Sequence, residues 1–405
     1  MRFNVRFLRT AAEADAARYL EDLQSSPEGR TIMQPKMSHY LVHLDDLDTR
    51  AANILKQNML SIGGEASLPR NVFEFKGQKT SAIISGTRRQ FKVLIPKLSH
   101  QPFGLTALQS ELGALFDSLD LAERGHILAL RGREYRLAEH TLVMGILNIT
   151  PDSFSDGGRF FERESAVEHG LRMAEEGADI LDIGGESTRP GADLISEDEE
   201  LDRVIPVIEG IRRDLEVPIS IDTSKSGVAR RALDAGADML NDVSALRIDQ
   251  GIAALAAERA VPLCLMHMLG MPKTMQVSPE YADLMGEIIA FLREQAEVAA
   301  EVGVAAANIL VDPGIGFGKT VAHNLEIMRR LEELRSLGHP VLIGPSRKSF
   351  IGGVLDLPEG GRLEGTAASV ALSIANGADI VRVHDVKEMV RVAGLADAIV
   401  GKSGK

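Results

Sequence analysis

Cysteine is nearly absent from this chain of 405 residues, and long apolar runs are absent altogether. A single cysteine, Cys264, excludes an intramolecular disulfide and any metal site built from several cysteines. No apolar run approaches the ~20 residues that a membrane-spanning helix needs. The first residues are charged and lack the apolar core of a secretory signal. These absences predict a cytoplasmic enzyme with no membrane partner.

Basic residues are fewer than acidic ones. The chain has 45 Lys and Arg residues and 58 Asp and Glu residues, which gives a formal net charge of −13. An acidic chain is a poor general binder of nucleic acid, so small molecules are the expected partners. Hydrophobic residues at 44% and charged residues at 25% form the usual mixture of a globular protein. The length exceeds that of one small domain and favours two.

The composition changes between residues 125 and 140. Residues 1–140 hold 19 basic and 16 acidic side chains, whereas the remainder holds 26 basic and 42 acidic ones. We therefore predict a domain over 1–138 and a second domain over 139–405. Short strand and helix patterns predict a small α+β fold for the first domain, whose role the sequence leaves open. Its basic residues between Lys76 and Lys97, Arg88 among them, are interpreted as a solvated face.

From Thr141 onward, short apolar runs of strand length alternate with longer helical patterns. Eight such units in about 260 residues match a (β/α)8 TIM barrel, and a doubly wound sheet is the competing interpretation. The count of eight favours the barrel. The predicted strands are Leu142–Asn148, Asp179–Gly184, Pro218–Asp222, Asp238–Val243, Val261–His267, Asn308–Asp312, Pro340–Gly344 and Asp379–His384.

Polar residues collect at the carboxyl ends of these predicted strands, where the chemistry of a TIM barrel takes place. One such residue alone is often only a helix cap or turn former. Polar residues at all eight strand ends are harder to explain by capping and predict a binding site. The polar positions are Asn148, Glu186–Pro190, Asp222, Asn241, His267, Asp312, Ser346–Lys348 and the pair Arg382 and His384.

These side chains fall into three chemical kinds. Asp222, Asn241 and Asp312 offer the acceptors and donors that suit a planar heterocycle with amide and amino edges. A second set, which suits phosphate oxygens, consists of cationic or potentially cationic side chains, namely Arg189, Lys348, Arg382 and His384. Asn148 offers a neutral oxygen of the kind that hydrated Mg²⁺ accepts. Together they predict a phosphorylated or pyrophosphorylated heterocyclic ligand.

The same segments resemble the dihydropteroate synthase family over about residues 141–395. The motifs that carry the resemblance are MGILNITPDSFSDGG from Met144, DIGGESTRPGA from Asp182, IDTSK from Ile221, NDVS from Asn241, LMHM from Leu265, DPGIGFGK from Asp312, SRKSF from Ser346 and RVHDV from Arg382. The resemblance implies condensation of 6-hydroxymethyl-7,8-dihydropterin pyrophosphate with para-aminobenzoate, Mg²⁺ as cofactor and a homodimer.

The resemblance also implies a role for each matching residue. The pterin would be held by Asp222, Asn241, Asp312 and Lys348, with Met266 as one wall. Arg382 would stack on the pterin ring and, with His384 and Arg189, would face the diphosphate, while Asn148 would reach Mg²⁺. The aminobenzoate pocket would consist of Thr188, Pro190, Phe317 and Ser346. Within this set Asp222, Lys348, Arg382 and His384 are the expected catalytic residues.

Two other functions remain open at this stage. A pterin-binding methyltransferase that acts between methyltetrahydrofolate and a corrinoid would keep the barrel, but it has no diphosphate to bind. A non-catalytic pterin-binding paralogue is the alternative from another class. The cationic residues in the Thr188–Pro190, Ser346–Lys348 and Arg382–His384 segments favour the diphosphate substrate. Cys264 and His267 are interpreted as buried structural residues.

Overall fold

The computed structural model of the protein describes residues 4–6, 8, 13–70, 72, 79–149, 159–187, 195–270, 275 and 278–402. Contacts divide the chain into two compact units, Met1–Asp117 and Ser118–Lys405. The domain assignment of 1–138 and 139–405 stays a prediction, because contacts alone group the intervening segment with the second unit. Among the described residues, no helix combines the length and hydropathy needed to cross a membrane.

The first unit is a three-stranded antiparallel sheet with helices, as the sequence predicted. The sheet has the strand order β1-β3-β2. Its elements are α1 (Glu13–Asp22), α2 (Pro27–Met37), β1 (His39–Asp48), α3 (Thr49–Ser61), β2 (Glu65–Ser67), β3 (Lys79–Thr87), α4 (Arg88–Lys97) and the beginning of α5 (Leu105–Arg124).

Aromatic packing organises the core of this unit and corrects one expectation. The rings of Phe91 and Phe116 lie 4.8 Å apart between centroids, and Tyr40 meets Phe116 edge to face at 5.4 Å. Arg88 is buried, and its guanidinium lies 4.3 Å from the Phe116 ring centroid. Arg88 is therefore a packing residue that stacks on an aromatic ring. Its assignment to a solvated face was wrong.

The second unit is the predicted TIM barrel. Its parallel strands have the order β11-β10-β9-β8-β7-β6-β13-β12, and a parallel bridge between Val311 and Val341 closes the ring. The strands are β6 (Leu142–Asn148), β7 (Ile180–Gly184), β8 (Ile219–Asp222), β9 (Met239–Asp242), β10 (Leu263–Met266), β11 (Ile309–Asp312), β12 (Leu342–Ile343) and β13 (Ile380–Val383).

Helices follow the strands around the outside of the barrel. They are α6 (Arg159–Glu175), α7 (Glu197–Asp214), α8 (Ser226–Asp234), α9 (Gly251–Arg259), α10 (Leu284–Glu301), α11 (Val321–Arg329), α12 (Ser349–Leu355), α13 (Leu363–Ala375) and α14 (Val386–Val400). The outward-facing strand residues, such as Leu181, Ile221 and Val381, pack against this layer in one large apolar core.

Strand residues of the opposite parity face the barrel interior, because successive side chains of a strand point to opposite sides. Toward the amino ends of the strands these inner residues are apolar except Ser220 on β8, and the apolar ones pack together in one cluster that contains Met144, Met239 and Cys264. Cys264 is fully buried, and burial raises the pKa of its thiol. It is therefore the structural residue that the sequence predicted.

A hairpin covers the apolar end of this interior. Strands β4 (Ile127–Leu130) and β5 (Arg133–Arg136) pair in antiparallel register across the Arg131–Gly132 turn. Leu128, Leu130 and the following Leu137 are buried in the same cluster as the inner strand residues. The hairpin thus seals the amino end of the barrel, and the carboxyl end is left for the polar side chains.

This seal predicts the effect of truncating one hairpin side chain. Leu130→Ala is expected to lower the free energy of unfolding by about 2–5 kcal/mol, because it leaves a cavity where a fully buried leucine packs. Urea unfolding followed by far-UV circular dichroism measures the change. Ile127→Ala on the same strand is the control, because that side chain is 45% exposed and should change stability by no more than about 0.5 kcal/mol. Equal losses in the two variants would contradict the seal.

Candidate functional site

Polar side chains fill the barrel interior beyond the apolar layer. Each occupies an inward-facing position of its strand, two residues after an inner residue that is apolar in every case except Ser220 on β8, and Met266 is the one apolar member of the set itself. The side chains at these positions are Asp182 on β7, Asp222 on β8, Asn241 on β9, Met266 on β10, Asp312 on β11 and Arg382 on β13. Asp222, Asn241, Met266, Asp312 and Arg382 were predicted as site residues, and the strand order brings them to one end of the barrel.

Arg382 lies at the centre of this polar layer. Its Nε donates to Asp182 Oδ2 at 2.6 Å, and its Nη2 donates to Asp222 Oδ2 at 2.9 Å. Asn241 Nδ2 donates to the same Asp182 oxygen at 3.2 Å. Asp182 is fully buried, so its carboxylate orients Arg382 and Asn241 without being exposed itself.

Asp182 was missed by the sequence analysis as a site residue. Its other oxygen, Oδ1, is buried without a hydrogen-bond partner among the described residues. The sequence did contain a signal for this role, because an aspartate in the middle of an otherwise apolar strand needs a buried partner. Only the fold identifies that partner, since Arg382 lies 200 residues later in the chain.

Burial shifts the carboxyl groups of the site away from their ordinary pKa values. It raises the pKa of Asp222 to about 7, against the opposing effect of Arg382 and with a further contribution from Asp182. Burial also raises the pKa of Asp312 to about 6, although the Gly314 N–H that donates to Oδ1 at 2.6 Å acts in the opposite direction. Both carboxyl groups therefore titrate near neutral pH, as groups with a chemical task often do.

The loop after β11 brings an aromatic ring and a lysine together. Lys348 Nζ lies 4.3 Å from the centroid of the Phe317 ring, which is a cation–π arrangement. Burial lowers the pKa of Lys348 to about 8, assisted by Arg382 and opposed by Asp312. Gly314 has a φ of +70°, and a Cβ there would lie 2.0 Å from the His267 carbonyl oxygen, so the close approach requires glycine.

His267 and Lys319 form a buried pair beneath this loop. Lys319 Nζ lies 2.9 Å from His267 Nδ1 and donates to the Phe317 carbonyl at 3.0 Å. Burial and the adjacent lysine lower the pKa of His267 to about 2, and burial lowers that of Lys319 to about 7. His267 is thus a neutral packing residue, as interpreted from the sequence. Lys319, which holds the Phe317 loop to β10, was not predicted.

His384 and Ser346 lie side by side at the ends of β13 and β12. The backbone N–H of His384 donates to Ser346 Oγ at 3.2 Å, and His384 Nδ1 lies 3.0 Å from the same oxygen. Burial and then Arg382 lower the pKa of His384 to about 3. The imidazole is therefore neutral at pH 7 and acts as a hydrogen-bonding group, so the cations of the described site are Lys348 and Arg382.

Asn148 lies at the rim, at the last position of β6. It pairs in register with Gly184, which pairs in turn with Asp222. A Cβ built on Gly184 would lie 3.6 Å from Asn148 Oδ1 and 3.7 Å from Asp222 Oδ2. The two oxygens therefore flank one glycine, and the absence of a side chain there leaves room beside them.

Three of the predicted site residues lie outside the described residues, namely Thr188, Arg189 and Pro190. The remaining ten belong to the barrel unit, on β6, β8–β11 and β13 or in the segments that follow β11, β12 and β13. The neighbour of Asn241 has a different role, because buried Asp242 accepts from Ser244 and Leu246 and caps the turn after β9.

Comparison with known proteins confirms the resemblance and the barrel. The family model described as pterin binding enzyme matches residues 144–384. Dihydropteroate synthase of Synechocystis is 51% identical over 262 residues, 64% of this chain and 91% of that protein. The solved structure of Xanthomonas albilineans dihydropteroate synthase with 4-aminobenzoic acid superposes with a TM-score of 0.64 at 45% identity, covering 68% of this chain and 98% of that one.

A longer relative also shares the first unit. A probable bifunctional folylpolyglutamate synthase/dihydropteroate synthase of Halobacterium salinarum is 45% identical over 400 residues. The match covers 97% of this chain and 48% of that protein. An alignment of this extent includes most of residues 1–117, so the similarity is not limited to the barrel.

The contacts of Asp182 predict a large loss of stability on its removal. Asp182→Ala is expected to lower the free energy of unfolding by about 3–5 kcal/mol, because the partly buried Arg382 loses one of its two carboxylate partners. Urea unfolding measures the change. Glu258→Ala removes an exposed ion pair with Arg230 and should leave the unfolding midpoint unchanged. An unchanged midpoint in Asp182→Ala would contradict the proposed support of Arg382.

Proposed function

The chain belongs to the pterin-binding enzyme family, and from that premise we propose how it acts as a dihydropteroate synthase. As a transferase of this kind, it condenses 6-hydroxymethyl-7,8-dihydropterin pyrophosphate with para-aminobenzoate. The observation that carries the proposal is the joint presence, in one barrel end, of hydrogen-bonding carboxylates and an amide beside Lys348 and Arg382.

The pterin ring is proposed to lie against the inner polar layer. Asp222, Asn241 and Asp312 offer carboxylate and amide groups for its amino and amide edges, while Lys348 donates to a ring acceptor. Met266 and Phe317, which pack in one apolar cluster, supply a wall for the flat ring. Arg382 presents a planar guanidinium that stacks on the ring and that Asp182 and Asp222 orient.

The reaction is proposed to break the C–O bond between the exocyclic methylene of the pterin and its diphosphate. The electron pair of that bond leaves with the diphosphate oxygen, and the electron-rich ring stabilises the positive charge left on the methylene. The amine nitrogen of para-aminobenzoate then forms the new C–N bond and loses a proton to water. Asp222 and Asp312 support this dissociative path, because negative charge near the ring stabilises the cation.

The departing diphosphate is proposed to lie near Arg382, His384 and, from the sequence alone, Arg189. His384 is suited to this as a neutral donor. When the Ser346 hydroxyl donates to Nδ1, the imidazole proton lies on Nε2. The Nε2–H group can then donate a hydrogen bond to a diphosphate oxygen. The group thus stabilises the leaving charge without giving up its proton.

Mg²⁺ is proposed to bind through Asn148. The half-buried amide of Asn148 fits an ion that keeps most of its waters, because a single neutral oxygen is enough to hold such an ion beside a phosphate ligand. The space beside Gly184 supports this placement. Once bound, the ion would stabilise the negative charge of the diphosphate.

The aminobenzoate pocket is proposed to involve Phe317 and Ser346, together with Thr188 and Pro190 from the sequence. Phe317 offers an aromatic face to the ring of the second substrate. The solved Xanthomonas albilineans relative was determined with 4-aminobenzoic acid, which supports the same second substrate here. The methyltransferase alternative is disfavoured, because relatives that are 51% and 52% identical to this chain are named dihydropteroate synthase.

A homodimer formed through the barrel helices is also proposed, and a cytoplasmic location stays a prediction. Leu372 on α13 is 59% exposed, and Leu395 and Ile399 on α14 are 65% and 76% exposed. The last two lie four residues apart on one helical face, and α13 packs against α14. Exposed apolar side chains grouped in this way are typical of a protein interface.

Substitutions in the site test the assignment of catalytic residues. Asp222→Ala and His384→Ala are each expected to lower kcat/KM for dihydropterin pyrophosphate by about 100-fold, because each removes a group that stabilises the separating charges. Release of pyrophosphate with both substrates and Mg²⁺ measures the rate. Glu258→Ala on the outside of the barrel should react like the wild type. Wild-type rates in both site variants would remove the assignment.

The raised pKa of Asp222 predicts a pH dependence of the reaction. Because that pKa is about 7, protonation removes the negative charge as the pH falls, and kcat/KM is expected to decrease below about pH 7. The pH profile of pyrophosphate release between pH 5 and 9 tests this. Asp222→Asn should have a lower but flatter profile across the same range. An acid limb that persists unchanged in that variant would assign the titration to another group.

A further inference from the structure

A buried lysine lies beneath the loop that follows β11. Lys319 is only 3% exposed, and its ammonium meets three acceptors. Nζ lies 2.9 Å from His267 Nδ1, and it donates to the carbonyl oxygens of His267 at 3.3 Å and of Phe317 at 3.0 Å. Because an ammonium has three N–H donors, these contacts use all of them inside the protein. Lys319 therefore ties its own loop to the residue that follows β10.

Two further contacts hold the residues on either side of Phe317. Asn324 Oδ1 accepts from the backbone N–H of the preceding residue, Gly316, at 2.8 Å. The Tyr281 hydroxyl donates to the carbonyl of the following residue, Gly318, at 2.9 Å. The carbonyl between them, that of Phe317 itself, is the one that the buried lysine holds. The backbone at Phe317 is thus fixed at three successive residues.

The ring of Phe317 joins two parts of the site. It packs in one apolar cluster with Met266, and Lys348 Nζ lies 4.3 Å from its centroid. Gly316 also lies against Lys348, because a Cβ there would be 3.2 Å from Lys348 Cδ. Since the backbone of a residue limits the directions open to its side chain, the bond from Lys319 to the Phe317 carbonyl also fixes where the ring lies.

The charge of Lys319 is unfavourable where it lies. Burial lowers its pKa to about 7, against the opposing effect of Asp312. Its three acceptors are a neutral imidazole and two carbonyl groups, which offset the desolvation of an ammonium less well than a carboxylate does. A cation kept in such a place beside a binding site indicates a requirement on the loop that it holds.

We propose that Lys319 is a positioning residue, which holds the Phe317 carbonyl so that the aromatic ring lies against Lys348 and offers its face to para-aminobenzoate. The proposal rests on the proposed function. It adds to that function a residue whose donors are all used inside the protein, and which acts on the second substrate through Phe317.

The sharpest test is a double-mutant cycle between Lys319→Met and Phe317→Ala. Methionine fills most of the space of the lysine and removes the ammonium. Each single variant is expected to raise the KM for para-aminobenzoate about tenfold, because each takes the ring away from its position. The double variant should also remain near tenfold and not reach about a hundredfold, which is a coupling of about 1.4 kcal/mol.

Lys402→Met is the matched control. Lys402 also donates inside the protein, to Thr141 Oγ1 at 2.9 Å and to the Ala378 carbonyl at 3.3 Å, but it does so at the amino end of the barrel. Its loss should lower Tm and leave the KM for para-aminobenzoate unchanged. The loss of a lysine that donates to internal groups is thereby separated from the loss of this particular contact.

A second variant keeps the test open if Lys319→Met does not fold. His267→Leu removes one acceptor and leaves the ammonium with its two carbonyl partners, so the same KM should rise about threefold. In that case His267→Leu takes the place of Lys319→Met in the cycle. Amide hydrogen exchange of peptides that cover residues 313–319 should become faster in both variants and stay unchanged in Lys402→Met.

The outcomes distinguish the positioning role from the proposed function. A double variant whose KM rises by the product of the two single effects would overturn the role, because the lysine would then act independently of Phe317. A lowered Tm with a wild-type KM, in Lys319→Met or in its replacement His267→Leu, would overturn it as well. If the wild-type protein releases no pyrophosphate, the proposed function fails, and the exchange of residues 313–319 still decides whether Lys319 holds the loop.

Discussion

A partly buried guanidinium inside the barrel constrains most of the groups around it. Arg382 cannot shed its charge, so the interior must supply carboxylates, and Asp182 and Asp222 do so from neighbouring strands. Asp182 in turn accepts from Asn241, which fixes the amide on the next wall of the site. Burial raises the pKa of Asp222 to about 7, while Arg382 opposes the rise and Asp182 adds to it.

Along the barrel axis, this charged layer lies at the carboxyl ends of the strands, and an apolar layer lies at their amino ends. Inner residues at the amino ends of the strands are apolar except Ser220 and are sealed by Leu128 and Leu130 of the hairpin. Inner residues at the carboxyl ends are polar, and the loops above them add Phe317, Lys348 and His384. A rigid, closed lower half supports the upper half, where hydrogen bonds of 2.6–3.2 Å orient the groups around Arg382. The fixed orientation of the site's side chains therefore depends on the packing of the apolar layer beneath them.

Much of the barrel could be predicted from the sequence, because the spacing of apolar residues and the polar residues that end each apolar run reflect local secondary structure directly. The strand predicted over Leu142–Asn148 has those same bounds, and the ends of the second, third and sixth predicted strands, Gly184, Asp222 and Asp312, are also unchanged. Polar residues after apolar runs located the site, since the carboxyl ends of parallel strands meet at one end of a barrel. The interpretation of Cys264 and His267 as buried structural residues was correct, because the apolar strand to which they were assigned predicts burial.

Composition and alternation by themselves determined that this protein is an α/β barrel with a polar carboxyl end, and the motifs determined its family. Only the tertiary structure decided which charges pair. Asp182 with Arg382, Lys225 with Glu186 and Glu200, and Lys319 with His267 are all distant in the chain, and no local period records such partners. The tertiary structure also determines protonation states. His384 is neutral because the fold buries it beside Arg382. Local sequence sets the element and the side it presents, whereas the free energy of a buried charge depends on what the rest of the chain brings next to it.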